Sequence, residues 1–150
     1  MGEVKKIFIG SDHAGFNTKE RIKKYLEKKK LSYKDLTPKL IEGDDYPDVA
    51  FNVAENVTKT KNSRGILVCG SGTGMEIAAN KVKGIRAFAP YDTYTAKMSR
   101  KDNNTNVVAF RGRGFDFKLI LRMLNVWIKT PFSNAPRHVR RIKKISKYEK

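Results

Sequence analysis

Residues 65–69, Gly65-Ile66-Leu67-Val68-Cys69, are apolar without alternation and run directly into Gly70-Ser71-Gly72-Thr73-Gly74. A strand with one wet face alternates polar and apolar side chains. An unbroken apolar run therefore predicts a strand covered on both faces, the situation of a central strand in a parallel sheet. The glycines end that strand, and Met75 to Val82, with Ile77, Ala78 and Ala79, predicts a helix leading away from it.

The same order of short apolar run and helical pattern recurs along the chain. Ile7-Phe8-Ile9 predicts a buried strand that breaks at Gly10. Asn17 with Glu20 suggests a capping-box start for a helix through about Lys30, with Ile22, Tyr25 and Leu26 on its apolar face. The seven Lys and Arg between Thr18 and Lys30 read as its solvated face. Leu31 to Leu36 suggests a second strand, followed by a loop in which Pro38, Gly43 and Pro47 break regular structure, and then a helix from Asp48 to Lys61. Ile85 to Ala89 and Val107 to Phe110 predict further strands, Tyr91 to Arg100 a helix, and Phe115 to Lys129 a helix with Leu119, Ile120, Met123, Leu124 and Trp127 inward. A basic helix from about Arg137 to Lys147 closes the chain. The expected fold class is α/β: one domain over residues 1–150, built on a doubly wound, Rossmann-like sheet of five parallel strands with helices on both faces and a C-terminal basic helix.

In such a sheet ligands bind beyond the carboxyl ends of the strands. Asp12 and His13 follow the first strand, Cys69 closes the central one, and Arg111 and Arg113 follow the last. Asp12 alone has a plain local use, bonding nearby amides, and a lone cysteine at a strand end is ordinarily inert packing. The glycine loop shifts the balance for Cys69, because backbone amides that converge between a strand and a helix favour an anion and are expected to acidify a thiol. No Lys-Ser/Thr follows the last glycine, so this is not a nucleoside-triphosphate loop. Met75 removes both the G-x-G-x-x-G fingerprint and the arginine of a cysteine phosphatase cradle.

Thirty-two Lys and Arg against fifteen Asp and Glu leave a formal charge of +17, which attracts anions without choosing among them. The basic residues lie in the first helix, the Lys59–Arg64 link and the tail, with no nucleic-acid-binding motif and no interleaved exposed aromatics, so nucleic acid is not the expected partner. A single cysteine excludes an internal disulfide framework and a multi-cysteine zinc site, and points to a reducing compartment. No apolar run approaches the ~20 residues of a membrane span, and no secretory h-region is present; a cytoplasmic location is the expectation.

Several ordered motifs together resemble the ribose-5-phosphate isomerase type B family, which includes galactose-6-phosphate isomerase subunits. They are Gly10-Ser11-Asp12-His13-Ala14-Gly15-Phe16, Asp45-Tyr46-Pro47-Asp48, Cys69-Gly70-Ser71-Gly72-Thr73-Gly74-Met75, Ala78 to Ala87, and Arg137-His138-Val139-Arg140-Arg141. The resemblance implies an aldose–ketose isomerase of a phosphorylated sugar, ribose 5-phosphate in the first place, that needs neither metal nor organic cofactor. It implies a homodimer, or a dimer of such dimers, with active sites shared between subunits. Cys69 matches the base that moves a proton between C2 and C1 through an enediolate, and Ser71 matches a hydroxyl position beside it. The amides of Gly70, Gly72, Thr73 and Gly74 would hold the enediolate oxygen. Asp12 and His13 match a pair that contacts sugar hydroxyls and phosphate, and Tyr46 and Asn103 match further sugar contacts. Phosphate falls to Arg113, Arg137 and Arg141; the last two are four apart and project from one face of a helix, with Arg140 pointing elsewhere. His138 is the remaining candidate in that motif.

One position departs from the family pattern. Asp102 stands where the family usually has a histidine that helps open the sugar ring. Imidazole both donates and accepts a proton near neutrality, whereas a carboxyl with a pKa of about 3.9 is almost only a base. The expectation is a slower turnover of cyclic substrate, with Asp102, His138 or water taking the ring-opening role. The alternatives are an isomerase of a 6-phosphate hexose of the allose or galactose type, and a basic nucleic-acid-binding protein that keeps the isomerase fold.

Overall fold

The computed structural model describes residues 3–149. Its elements run β1 (Lys6–Ser11), α1 (Phe16–Lys28), β2 (Tyr33–Asp35), α2 (Tyr46–Lys59), β3 (Ser63–Cys69), α3 (Thr73–Ala79), β4 (Ala87–Phe88), α4 (Thr93–Asn103), β5 (Val107–Arg111), α5 (Phe117–Lys129) and α6 (Pro136–Tyr148). The five strands form one all-parallel sheet in the order β2-β1-β3-β5-β4. The central strand β3 is buried along its whole length, as its unbroken apolar run requires.

Each face of the sheet has its own core. Phe8, Leu67, Val107 and Ala109 pack under Val53, Ala54 and Val57 of α2 and Met75 and Ala78 of α3. Ile7, Ile9, Ile66, Val68 and Phe110 pack under Ile22 and Leu26 of α1, Ala96 of α4 and the stripe Ile120, Met123, Leu124 and Trp127 of α5. Burying each aliphatic member of that stripe is worth about 1.5–3 kcal/mol. Helix α6 joins neither core. It packs on α4, and His138 is its one buried residue among those described.

Local readings needed correction in five places. Gly10 does not break β1; it lies within the strand beneath Val49 and Val53, where a Cβ would come within 2.8 Å of Val49 Cγ1. No capping box forms at Asn17 and Glu20, because α1 already begins at Phe16. It starts there because Gly15 lies against the backbone of Val68, so close that only glycine fits. Lys19 is not on the solvated face: it is fully buried, donating to Asp35 Oδ2 and the Thr37 carbonyl, both at 2.7 Å. Pro47 lies inside the first turn of α2, where its missing N–H has no cost. Ile77 is largely exposed on α3, while Met75, Ala78 and Ala79 face inward.

Candidate active site

Strands β1 and β3 are neighbours, but α1 and α3 leave them toward opposite faces. Their following loops therefore diverge, and a crevice opens at the carboxyl edge between them. Cys69 ends β3 at this crevice and is 4% exposed. Its Sγ accepts a hydrogen bond from the Gly72 N–H at 3.1 Å, a donor placed to stabilise negative charge on sulfur. Gly72 holds φ +86°, a left-handed conformation that turns its amide back toward the strand end.

Two further loops close on the glycine turn. The Gly112 N–H donates to the Cys69 carbonyl at 2.7 Å and the Arg113 N–H to the Gly70 carbonyl at 3.2 Å. These bonds lay the Arg113 side chain beside Gly70. The Tyr46 ring covers Gly74 so closely that a Cβ there would sit 2.7 Å from ring carbons. Ser71 and Thr73 stand exposed at the rim, their hydroxyls 2.8 Å apart.

On the other side of the crevice, Asp12 is buried and accepts from the Gly15 N–H at 2.9 Å. Burial pushes its carboxyl above the usual aspartate value, against the bonds from Gly15 and Ala14 and the charge of His13. His13 donates its backbone N–H to Asp44 Oδ1 at 2.9 Å, and its Nδ1 lies 2.8 Å from the same oxygen. The bond to Asp44 holds the imidazole pKa above its ordinary value.

Asp12, His13, Tyr46, Cys69, the 70–74 loop and Arg113 thus share one edge of the sheet. The other candidates do not. Asp102 and Asn103 lie on the last turn of α4, before β5, while Arg111 at the far end of β5 pairs with Cys69. The length of β5 alone, ~13 Å at 3.3 Å per residue, separates the two ends. Arg137 and Arg141 are exposed on α6, which packs on α4, the helix of Asp102. His138 is buried between them, its Nδ1 2.8 Å from Ser133 Oγ and its Nε2 3.5 Å from Asp102 Oδ1.

A family model described as Ribose/Galactose Isomerase matches residues 7–145. The chain belongs to that family. It is 40% identical over 147 residues to D-erythrulose-4-phosphate isomerase of Pectobacterium atrosepticum, covering 95% of this chain and 94% of that protein. It is 37% identical over 146 residues to ribose-5-phosphate isomerase B of Escherichia coli, covering 97% of each. A crystal structure of ribose-5-phosphate isomerase B from Mycoplasma genitalium with bound ribulose-5-phosphate superposes with a TM-score of 0.91 at 37% identity, covering 99% of this chain and 98% of that one. The all-parallel five-stranded sheet is the arrangement expected of this isomerase family.

Two residues that shape this crevice carry no motif that marks them in a reading of the sequence. Asp44 sits in a loop with no periodic signal, and only the fold brings it to His13. Lys19 had a signal, since it stands at i−3 from Ile22 and i−7 from Leu26 on the buried stripe of α1. From there it anchors Asp35 and Thr37, and Thr37 Oγ1 accepts from the Ser11 N–H at 2.9 Å, next to Asp12.

Proposed function

We propose that the chain is an aldose–ketose isomerase that interconverts ribose 5-phosphate and ribulose 5-phosphate. The observation that carries this reading is Cys69, a single thiol aimed by a backbone amide into a crevice that also holds Asp12, His13 and Arg113. Cys69 takes the proton from C2 of the aldose and returns it to C1. The negative oxygen of the enediolate lies against the amides of the 70–74 loop, and each such donor is worth ~10²–10³ in rate. Ser71 stands beside the thiol at the rim. Asp12, His13 and Tyr46 hold sugar hydroxyls, and His13 and Arg113 add positive charge for the phosphate.

The site is completed by a second copy of the chain. Asp102, Asn103, Arg137, His138 and Arg141 gather at the opposite edge from Cys69, so no one chain can present all of them to one sugar. In a two-fold dimer each partner brings its α4–α6 end to the other's crevice, where Arg137 and Arg141 clamp the phosphate with paired hydrogen bonds.

Isomerisation of ribose 5-phosphate by the purified protein, repeated with Cys69→Ala, tests the chemistry. Inactivity of the unaltered protein on ribose 5-phosphate, allose 6-phosphate, galactose 6-phosphate and D-erythrulose 4-phosphate overturns the reading. A tetrose 4-phosphate has no free O4 to close a furanose ring, so activity confined to it moves the substrate to an open-chain sugar. Mixing inactive Cys69→Ala and Arg137→Ala chains tests the shared site. Random exchange leaves about a quarter of the sites intact, and no recovery of activity overturns the two-chain arrangement.

A further inference from the structure

The edge of the sheet away from Cys69 holds a cleft of about 1090 Å³. It lies between the start of β3, the end of α5 and the loops after α3 and α4. Six cationic side chains line it, Lys29, Arg64, Lys83, Arg86, Arg100 and Lys129, against one carboxylate, Glu3. Among the described residues, no carboxylate lies within ion-pair distance of any of the three arginines. The Glu149 carboxylate acts on Arg86 from farther off while accepting from the Gly84 N–H at 3.2 Å.

Each guanidinium is anchored on one side by carbonyl oxygens. Arg64 Nη1 donates to the carbonyls of Trp127 at 2.7 Å and Ile128 at 2.9 Å. Arg86 donates through Nε and Nη2 to the carbonyls of Asn103 and Asn104 at 2.8–3.1 Å. Arg100 donates through Nε to the Thr130 carbonyl and through Nη1 to Asn104 Oδ1 and the Thr105 carbonyl. These bonds have a structural use, since they satisfy carbonyls left over at the ends of α4 and α5. They leave Arg64 Nε and Nη2, Arg86 Nη1 and Arg100 Nη2 with no acceptor among the described residues.

Arg64 and Arg100 are only 8% and 7% exposed. Burying a charge without a counter-charge is costly. Burial first, and then the neighbouring arginine, pulls Arg64 down to about 9 and Arg100 to about 10. An anion on the free edges removes both penalties at once. The recess of the two guanidinium groups favours a small ligand over a polynucleotide, whose backbone cannot follow them inward.

We propose that this cleft is a second anion site, which takes the phosphoryl group of a small molecule on the free N–H groups of Arg64, Arg86 and Arg100. It does not depend on the isomerase reading. It does adjoin it, because Arg86 and Arg100 hold the carbonyls of Asn103 and Thr105, next to Asp102 on α4.

Calorimetric titration of the full chain with inorganic pyrophosphate at constant ionic strength tests the proposal. The Arg113→Ala/Arg137→Ala/Arg141→Ala variant removes the three arginines of the sugar site. In that background one saturable site per chain is expected, and Arg86→Gln or Arg64→Gln added to it weakens binding at least tenfold. Arg86 lies outside both cores, so its variant reports even if Arg64→Gln does not fold. Loss of all saturable binding in the triple variant overturns the proposal. So does pyrophosphate affinity unchanged by Arg86→Gln, which marks attraction to the basic surface at large.

Discussion

The two edges of the sheet handle charge in opposite ways. At the edge where the strands end, backbone amides meet the groups at the centre of the crevice, with His13, Tyr46 and Arg113 around them. Gly72 N–H points at sulfur, and Gly15 N–H at Asp12. At the edge where the strands begin, long guanidinium groups reach for carbonyl oxygens of α4, α5 and the loops after them. The difference follows from direction. All strands are parallel, so each returning helix starts near the first edge with free N–H groups and finishes near the second with free carbonyls. One edge offers donors to an anion directly. The other must recruit cations to cover its carbonyls, and only then has donors to spare.

The largest expected effect tests whether the chemistry belongs to the first edge alone. Cys69→Ala removes the base and is expected to lower the initial rate on ribose 5-phosphate by ~10²–10⁴, with only a small drop in the unfolding midpoint from the lost buried sulfur. A rate within tenfold of the unaltered protein moves the chemistry elsewhere.

Next in size are two substitutions that probe how each edge is built. Gly15→Ala places a Cβ 2.2 Å from the Val68 carbonyl oxygen, a backbone atom with little room to yield. We expect a loss of about 3 kcal/mol, seen in urea unfolding. Arg64→Ala strips the donors from the Trp127 and Ile128 carbonyls, and each such group left unsatisfied costs about 1–3 kcal/mol unless water reaches it. If the cleft admits water readily, the cost falls to the lower end. Equal, near-zero losses at both positions would remove the contrast between a close-packed edge and a capped one.

The sequence exposed the first edge far better than the second. An unbroken apolar run ending in glycines declares both a central strand and the loop at its carboxyl end, because those properties reside in adjacent residues. Asp12, His13 and Cys69 then follow by position. The second edge depends on side chains distant in sequence: Arg64 meets Trp127, Arg100 meets Thr130, and Asp102 meets His138. No period or motif encodes such meetings, and a basic tally of +17 hides the few buried cations among many exposed ones. Lys19 shows the same limit in miniature. Its helical phase matched the core stripe, but the expectation that lysine faces water outweighed it.

A smaller effect concerns Asp102, at the second edge. If a carboxylate there opens the ring poorly, Asp102→His raises kcat on ribose 5-phosphate by up to about tenfold, since an imidazole both donates and accepts near neutrality. His138, 3.5 Å away, keeps its bond to Ser133 in either case. An unchanged kcat, with Cys69→Ala inactive, shows that ring opening does not limit turnover.

The smallest effect returns to the first edge, where charge is set by one carboxylate rather than by amides. The hydrogen bond to Asp44, helped by the charge of Asp12, raises the His13 pKa above its ordinary value of 6.5. A raised folded-state pKa means that the His13–Asp44 ion pair is fully present below about 6.5 and is lost as pH rises through the higher folded value. Phosphate attraction by His13 fades over the same interval, so KM for the sugar phosphate is expected to climb severalfold as pH rises above about 6.5. Asp44→Asn removes the charge that holds the pKa up and moves this climb to lower pH. The substrate phosphate titrates as well, near pH ~6, so the informative quantity is the displacement between the two KM profiles and not either profile alone. Profiles that coincide from pH 6 to 9 mean that the phosphate is held by arginines only, and His13 then serves the sugar hydroxyls.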